Sequence, residues 1–287
     1  MKITREHERK ITRIVQRGKT STQPRAIRLF GAITGDPNNI HRRREYAEAS
    51  GLPNTPVMGA HISAIGLERA LEAYYVLTGQ TPTELYHSTR FSSPLFPGRK
   101  KLGPLEIEEI DEETVLKLPV HRGNFVKAIN ETRIGRISKK IDAPANPDAG
   151  PILAEVTPTK KGEQAYGRLV RAQPRDYLSP GWLQALFPGT LVRVLNTAYE
   201  GENNGAPMPL NLRMTTHIKQ QAEKSPLALE VYMNDRGRRG DLYVYDFYGE
   251  IKQGNRIIEV AELKAVGRTP IDLEKIKRIS RIPSITL

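Results

Sequence analysis

The sequence predicts an α+β fold built from two halves, each with one long helix followed by four strands. Two stretches of this 287-residue chain carry apolar residues at roughly helical spacing. After each stretch, short runs of apolar residues are separated by turn residues, which predicts strands. Because successive runs are joined by short turns, we expect neighbouring strands to be antiparallel. The order of elements repeats, although the two halves share no sequence identity worth quoting.

In the first half, the long helix is predicted over about 58–77. It has little charge in its first two turns, so we expect it to be buried. Turn-forming residues before it separate two shorter helices. The short helices are expected over 24–33 and 42–50, and the strands over 84–92, 100–109, 114–121 and 124–134.

In the second half, the long helix is predicted over about 181–199, where Pro188-Gly189 is expected to kink or split it. The basic tail over 268–287 is expected to pack loosely or against a partner. The strands are predicted near 207–218, 226–234, 240–251 and 256–265.

Residues 138–164 are rich in Lys, Pro, Asp and Gly, and this composition predicts a linker. The chain would then consist of an N-terminal domain over 1–137 and a C-terminal domain over 165–287.

The composition excludes several kinds of chemistry. The chain contains no cysteine, which rules out disulfides, Cys-based metal sites and a thiol nucleophile, and which fits a reducing compartment. No His/Asp/Glu cluster has the spacing of metal ligands, so no metal site is predicted. The N-terminus lacks the apolar core of a signal peptide, and no apolar run is long enough to cross a membrane. We therefore expect a cytoplasmic protein.

The net charge of +12 suggests an anionic partner. Residues 1–28 hold nine Lys or Arg against two Glu, so much of the charge lies near the N-terminus. Nucleic acid, an acidic carrier protein and a phosphorylated cofactor such as coenzyme A all fit, and so does a merely solvated basic face. Nucleic acid is the less favoured partner, because the sequence has no zinc-finger, RNP or KH motif.

The segment 34–41 carries the clearest chemical signal. Asp36 and His41 lie five residues apart across a turn rich in Gly, Pro and Asn, and such a loop can direct both side chains to one point. A carboxylate and an imidazole can serve as an acid/base pair, and Asn38 could orient a water molecule or one member of the pair. On the residues alone, the alternative in which Asp36 simply caps the following helix is favoured.

Residues 30–41, FGAITGDPNNIH, resemble the signature of the MaoC-like, hydratase-2 dehydratase family. That signature has an aromatic residue, a short apolar spacer, Ser/Thr-Gly-Asp-x-Asn-Pro, an aliphatic residue and His, with a small residue a few positions later. Here Ala47 is the small residue, and Asn39 replaces the family's Pro. This replacement changes the stiffness of the loop but removes no reactive group.

The flanking segments extend the resemblance over about residues 20–105. Glu45-Tyr46-Ala47 matches the acidic residue, Tyr and Ala that follow the family's His. The segment 56–61, PVMGAH, opens the long helix, where the family often has His-Gly-Met. The segment 91–98, FSSPLFPG, matches the family's aromatic-x-x-Pro-aliphatic-aromatic-Pro-Gly strand end. Beyond residue 105, the resemblance rests on the order of elements alone.

The resemblance implies a double hot dog fold, with two long central helices, each wrapped by an antiparallel sheet. The domain over 1–137 would be catalytic. The domain over 165–287 would be degenerate, because it lacks the motif and has His217 as its single histidine. It would help to form a tunnel for the acyl chain.

The family's activity implies that this chain interconverts (R)-3-hydroxyacyl and trans-2-enoyl thioesters. Asp36 and His41 would be catalytic, Asn38 would assist, and a backbone N–H of Gly59 or Ala60 would polarise the thioester carbonyl. The substrate would be carried on coenzyme A or acyl carrier protein, with no further cofactor, and the protein could form a homodimer.

Three arginines, Arg42, Arg43 and Arg44, directly follow His41. They could bind the phosphates of the thioester carrier, or they could be the solvated start of a short helix. Two other functions remain open at this point: a hot dog acyl thioesterase and a non-enzymatic acyl-CoA-binding protein.

Overall fold

The computed structural model describes residues 3–16, 23–98, 101–142, 144–202 and 206–287. The helices are α1 (Arg5–Gln16), α2 (Pro24–Thr34), α3 (Arg44–Ala49), α4 (Gly59–Thr78), α5 (Lys160–Val170), α6 (Pro180–Ala198) and α7 (Leu273–Lys277). The strands are β1 (Leu85–Phe91), β2 (Lys101–Leu102), β3 (Glu106–Ile110), β4 (Glu113–Arg122), β5 (Phe125–Gly135), β6 (Ala149–Thr157), β7 (Leu210–Ile218), β8 (Leu227–Arg239), β9 (Leu242–Gln253), β10 (Arg256–Gly267) and β11 (Ile285–Thr286).

The two long helices, α4 and α6, lie where the sequence predicts them and pack against each other. Most of their residues are buried, which explains why both sequences are apolar nearly all round. The predicted break at Pro188-Gly189 is wrong, because α6 continues through it. Pro188 removes one backbone hydrogen bond, but tertiary packing around this buried stretch keeps the helix intact.

The strands form one continuous sheet instead of two separate ones. Its order is β11-β6-β8-β9-β10-β7-β1-β5-β4-β2, with β3 paired to β4. The halves join where β1 pairs antiparallel with β7, so that Tyr86 lies opposite His217. This pairing satisfies the backbone groups of two strands that would otherwise be exposed edges. Within each half, β4 with β5, β8 with β9 and β9 with β10 are antiparallel, as predicted.

The predicted linker over 138–164 is wrong in its second part. Residues from Ala149 onward form β6, which pairs with β8, and α5 begins at Lys160. The strand forms because Ile152, Ala154 and Val156 alternate with exposed residues and enter the core. The Pro-, Asp- and Gly-rich composition that predicts a linker therefore applies to the residues before this strand.

Two other predictions also need correction. The strand predicted over 100–109 is divided into β2 and β3, because Gly103-Pro104 interrupts it and proline has no N–H to donate. The tail over 268–287 packs against the chain's own core. It contains α7, and its β11 pairs parallel with β6. Its buried isoleucines are Ile271, Ile276, Ile282 and Ile285.

A buried polar cluster lies between α4 and the sheet. His87 contacts the hydroxyls of Thr132 at 2.8 Å and of Ser63 and Thr89 at 3.2 Å. Burial lowers the pKa of His87 to about 3, so the imidazole is neutral. The hydroxyls satisfy both ring nitrogens, which makes this histidine a structural group.

The carboxyl group of Glu259 is buried with the hydroxyl of Thr216 as a hydrogen-bond donor. Burial raises the pKa of Glu259 to about 8, whereas in the unfolded chain it lies near 4.5. Unfolding between pH 4.5 and about 8 therefore releases a proton, and the contribution of Glu259 to stability is lost as pH rises through this range.

We predict that Glu259→Gln, which cannot ionise, stabilises the protein at alkaline pH. Relative to the wild type, the free energy of unfolding is expected to rise by up to a few kcal/mol near pH 9 and to change much less near pH 4. Urea unfolding at both pH values measures this. The exposed Glu200→Gln is the matched control, with no pH-dependent difference expected. An equal effect of Glu259→Gln at both pH values would contradict the buried neutral carboxyl.

Candidate active site

The loop after α2 is shaped by a turn that needs glycine. Gly35 ends α2 in the left-handed conformation, with φ of +72°. The N–H of Asp36 then bonds to the carbonyl of Gly31 at 2.8 Å. These two features reverse the chain and bring Asp36 back against the helix that it has just left.

Asp36 and Asn38 hold the loop through side-chain hydrogen bonds. The Asp36 carboxylate accepts the backbone N–H of Asn38 at 2.9 Å, and the Asn38 side chain accepts that of Ile40 at 2.9 Å. Asn38 thereby caps a short 3-10 turn over Asn39–His41. The alternative in which Asp36 caps the following helix is wrong, because Arg43 holds the N-cap position of α3.

His41 is oriented by a backbone carbonyl. Its Nδ1 lies 2.8 Å from the carbonyl oxygen of Pro56, which can only accept a hydrogen bond. Nδ1 must therefore carry the proton, and in the neutral ring Nε2 keeps its lone pair. This contact selects the tautomer in which Nε2 can act as a base.

Burial adjusts both members of the pair toward neutrality. Burial raises the pKa of Asp36, whereas His41, the N–H of Asn38, Arg42 and Arg193 lower it. Burial lowers the pKa of His41, opposed chiefly by Asp36 and the carbonyl of Pro56. The two pKa values therefore move toward each other, which lowers the free-energy cost of moving a proton from one group to the other.

Asp36, Asn38 and His41 line one side of a cavity of about 260 Å³. Both halves of the chain contribute to its walls, and most of the remaining lining is apolar. From the first half come Ile40, Val57, Met58, Phe91 and Leu95, and from the second half come Leu191, Val192, Leu195, Leu263 and Val266. The arrangement suits an apolar group that carries a polar end.

The first turn of α4 faces the same cavity. Gly59 and Ala60 line it, and the first N–H groups of a helix have no partners within the helix. A Cβ on Gly59 would lie 3.1 Å from the ring of Phe91 and 3.2 Å from the amide of Asn211. Glycine therefore leaves room at this point. His61 is fully buried and stacks on Phe30 at 4.3 Å between ring centroids.

The three arginines after His41 lie outside the described cavity lining. All are exposed. Arg42 reaches to 3.5 Å from the backbone oxygen of Asp36, and Arg43 lies over the ring of Tyr46. Arg44 forms an exposed ion pair with Glu48 at 2.7 Å. Arg42 and Arg43 remain candidates for binding an anionic carrier, whereas Arg44 is engaged within α3.

Helix α6 supports the loop with residues that the sequence analysis misses. The indole N–H of Trp182 donates to the carbonyl of Ile33 at 2.7 Å, and Nε of Arg193 donates to that of Gly35 at 2.7 Å. A Cβ on Gly189 would lie 2.1 Å from the oxygen of Thr34. Only the unusual Pro188-Gly189 within a helical pattern hints at this close approach.

The N-terminus of α6 is filled by the protein's own carboxylate. The N–H of Gly181 donates to Glu68 at 3.2 Å, and Arg175 pairs with the same carboxylate at 2.6 Å. The hydroxyls of Ser179 and Tyr166 also donate to Glu68. The helix end of the second half is thus internally satisfied, whereas that of α4 opens into a cavity.

Two other features are absent from the described ranges. No group of three or more His, Asp or Glu side chains in them is arranged to hold a metal ion. No helix in the described part of the chain is long and apolar enough to span a membrane.

The family model of the MaoC like domain matches residues 1–115. No curated protein matches the chain. The matched segment contains the loop, both members of the pair and the first turn of α4.

Solved structures show the same fold over most of the chain. A protein named as a MaoC domain dehydratase, from Chloroflexus aurantiacus J-10-fl, has a TM-score of 0.58 and 9% identity, covering 86% of this chain and 92% of that one. A second, named as a MaoC-like dehydratase, has a TM-score of 0.55 and 10% identity, with 86% and 95% covered.

A conserved protein of Mycobacterium tuberculosis, described as having a double hotdog fold, has a TM-score of 0.53 and 10% identity, covering 83% of this chain and 90% of that one. The mixed α+β structure therefore has hot dog relatives. The part of the chain that the MaoC like domain model matches, residues 1–115, carries Asp36 and His41.

Proposed function

We propose that this protein is a hydro-lyase that interconverts (R)-3-hydroxyacyl and trans-2-enoyl thioesters. One observation carries the proposal: Asp36 and His41 lie together at the polar side of an apolar cavity that also receives the N-terminus of α4. An acid/base pair, an electrophilic helix end and an apolar channel are what addition of water to an enoyl thioester requires.

In the hydration direction, one member of the pair accepts a proton from water while the oxygen bonds to C3 of the substrate. The electron pair of the C2–C3 double bond moves toward the thioester carbonyl, forming an enolate. The N–H groups of Gly59 and Ala60 stabilise that oxygen. The other member gives its proton to C2. Dehydration is the reverse sequence, so Asp36 and His41 must hold one proton between them.

We assign the acyl chain to the apolar lining that both halves supply. In this arrangement, each half is a hot dog unit, with α4 and α6 as the central helices, and the second unit has lost its own site. Coenzyme A or acyl carrier protein would carry the substrate, without a further cofactor, in the cytoplasm.

We predict that Asp36→Asn and His41→Ala each lower the hydration rate of crotonyl-CoA by about 10²–10⁴-fold. The measurement is the loss of ultraviolet absorbance of the conjugated double bond, with thiol release followed in parallel. Asp176→Asn and His7→Ala, which lie outside the cavity lining, are matched controls with unchanged rates. Hydration that survives both substitutions would refute the assignment, and thiol release without hydration would indicate a thioesterase.

We predict that Arg193→Gln shifts the pH profile of kcat/KM upward. The positive charge of Arg193 lowers the pKa of Asp36, as do His41, the N–H of Asn38 and Arg42. Without that charge, the pKa values of the pair rise, so the pair stays protonated to higher pH. Both the acidic and the alkaline limb of the kcat/KM profile should shift to higher pH, by as much as about one pH unit. Arg193→Lys retains the charge and should move them less. The exposed Arg278→Gln is the control, and identical profiles for all variants would count against the interaction.

We predict that Gly189→Ala destabilises the protein by about 1–3 kcal/mol and reduces hydration activity. The added methyl meets the Thr34 carbonyl, so either α6 or the loop must move. Gly167→Ala, in α5, is the matched control, because a Cβ there lies 3.9 Å from the backbone oxygen of Ala172. That change should stabilise by up to about 1 kcal/mol and leave activity unchanged. If the two variants had the same melting temperature and the same hydration activity, α6 would not be needed to hold the loop in place.

A further inference from the structure

Asn211 is a polar side chain on the apolar wall that the second half adds to the cavity. Among the described residues that line the cavity, the others from the second half are apolar. Asn211 lies near the start of β7, far along the chain from the loop that carries Asp36 and His41. In apolar pockets, a small number of polar groups fix the orientation of the ligand. This carboxamide is therefore a candidate for contacting the polar end of the bound group.

A β-bulge in β7 turns Asn211 toward the cavity. Two successive residues of β10, Lys264 and Ala265, pair with Arg213 and Asn211. Leu212, between the two paired residues of β7, has no counterpart on β10. Residues directly opposite each other in an antiparallel pair lie on the same face of the sheet. Because Ala265 is fully buried in the core, Asn211 lies on the core face as well.

Without the bulge, a regular strand would place Asn211 on the opposite face. The sequence over 210–214, LNLRM, alternates apolar and polar residues, which predicts a strand whose apolar residues all face the core. Instead, Leu212 is 45% exposed at the edge of the cavity. Bulges often redirect a side chain beside an active site. Exposure of a leucine together with inward placement of an asparagine breaks the local pattern, which is typical of a functional position.

Asn211 lies against the N-terminus of α4. A Cβ on Gly59 would lie 3.2 Å from Nδ2 of Asn211. Within this helix, backbone hydrogen bonding begins at His61, whose N–H bonds to the carbonyl of Met58 at 3.1 Å. Met58 holds the N-cap position and forms no side-chain cap. Nδ2 of Asn211 therefore lies beside the uncapped N–H groups of Gly59 and Ala60, and all three residues border the same cavity.

We propose that Asn211 is a catalytic residue whose Nδ2–H donates a hydrogen bond to the thioester carbonyl oxygen, next to the N–H groups of Gly59 and Ala60. This inference rests on the proposed function. As the electron pair of the C2–C3 double bond moves toward the thioester, negative charge develops on that oxygen. Asn211 keeps its proton throughout, and its hydrogen bond strengthens as the charge grows. The second half thus supplies a polar group to the reaction as well as an apolar wall.

The competing role for Asn211 is structural. Its Oδ1 could accept an N–H at the start of α4, which would make the side chain a cap of that helix. Aspartate is also a good cap, because negative charge is favourable at a helix N-terminus, but an ionised carboxylate has no hydrogen to donate. Asn211→Asp therefore separates the two roles, since it keeps the shape of the side chain and removes the donor.

The first test measures hydration of crotonyl-CoA by Asn211→Asp and Asn211→Ala. Loss of one such donor should lower kcat by about 10²–10³-fold and leave KM within about threefold, because the charge develops in the transition state. The melting temperature of Asn211→Asp should equal or exceed that of the wild type. Asn255→Asp, at an exposed asparagine between β9 and β10, is the matched control with unchanged kcat. If Asn211→Asp retained the wild-type kcat, the side chain would be a cap and the proposal would be wrong.

Infrared difference spectroscopy measures the hydrogen bond without turnover. The probe is crotonyl-CoA with ¹³C at the thioester carbonyl, bound to Asp36→Asn protein. Hydrogen bonds from the protein should lower the stretching frequency of the bound carbonyl. Adding Asn211→Asp or Asn211→Ala should reverse part of this shift, whereas adding Asn255→Asp should not. A frequency that does not respond to the changes at Asn211, or failure of Asp36→Asn protein to bind the thioester, would overturn the proposal.

The two measurements separate failure of this inference from failure of the proposed function. If the wild type hydrates crotonyl-CoA and the carbonyl frequency does not depend on Asn211, the reaction stands and the role of Asn211 is wrong. If the wild type hydrates no crotonyl-CoA and the frequency does depend on Asn211, the hydrogen bond is right and the proposed reaction is wrong.

Discussion

The close packing of α6 against the end of α2 is the contact on which the candidate site depends. At Gly189 the helix approaches the Thr34 carbonyl so closely that no side chain fits between them. On either side of that point, Trp182 donates a hydrogen bond to the carbonyl of Ile33 and Arg193 donates one to the carbonyl of Gly35. Ile33 lies in the last turn of α2 and Gly35 caps it, where a helix leaves its carbonyl groups without internal partners. A helix of the second half thus satisfies the backbone that carries Asp36.

Because of this contact, the two halves contribute different parts of the candidate site. The first half supplies the candidate acid/base pair, Asp36 and His41, and the helix N-terminus at Gly59 that faces the cavity. The second half supplies the support for the loop and much of the apolar wall. Pairing of β1 with β7 makes the sheet continuous across the two halves. The helix end that could have formed a second site is filled by Glu68, whose carboxylate is satisfied by Arg175 and by nearby hydroxyls.

Burial has different consequences for the ionisable groups of this protein. Glu259 and His87 become neutral, because their partners are hydroxyls that cannot compensate a charge. Glu68 keeps Arg175 as a charged partner. Asp36 and His41 lie between these cases, since burial favours neutrality while each stabilises charge on the other. Only in this intermediate case can a proton be exchanged with small changes in free energy, which is what an acid/base pair needs.

The sequence by itself determined the features that depend on neighbouring residues. The positions of α4 and α6 follow from apolar periodicity, and the turn around Asp36 follows from Gly, Pro and Asn. The grouping of Asp36, Asn38 and His41 follows from their short separation. Tertiary structure alone decided the rest. Arg193 meets Gly35 across 158 residues of chain, and no local pattern marks such a contact. The continuity of α6 through Pro188 and the strand at Ala149 were likewise decided by packing, because burial there outweighs the local preference for a break.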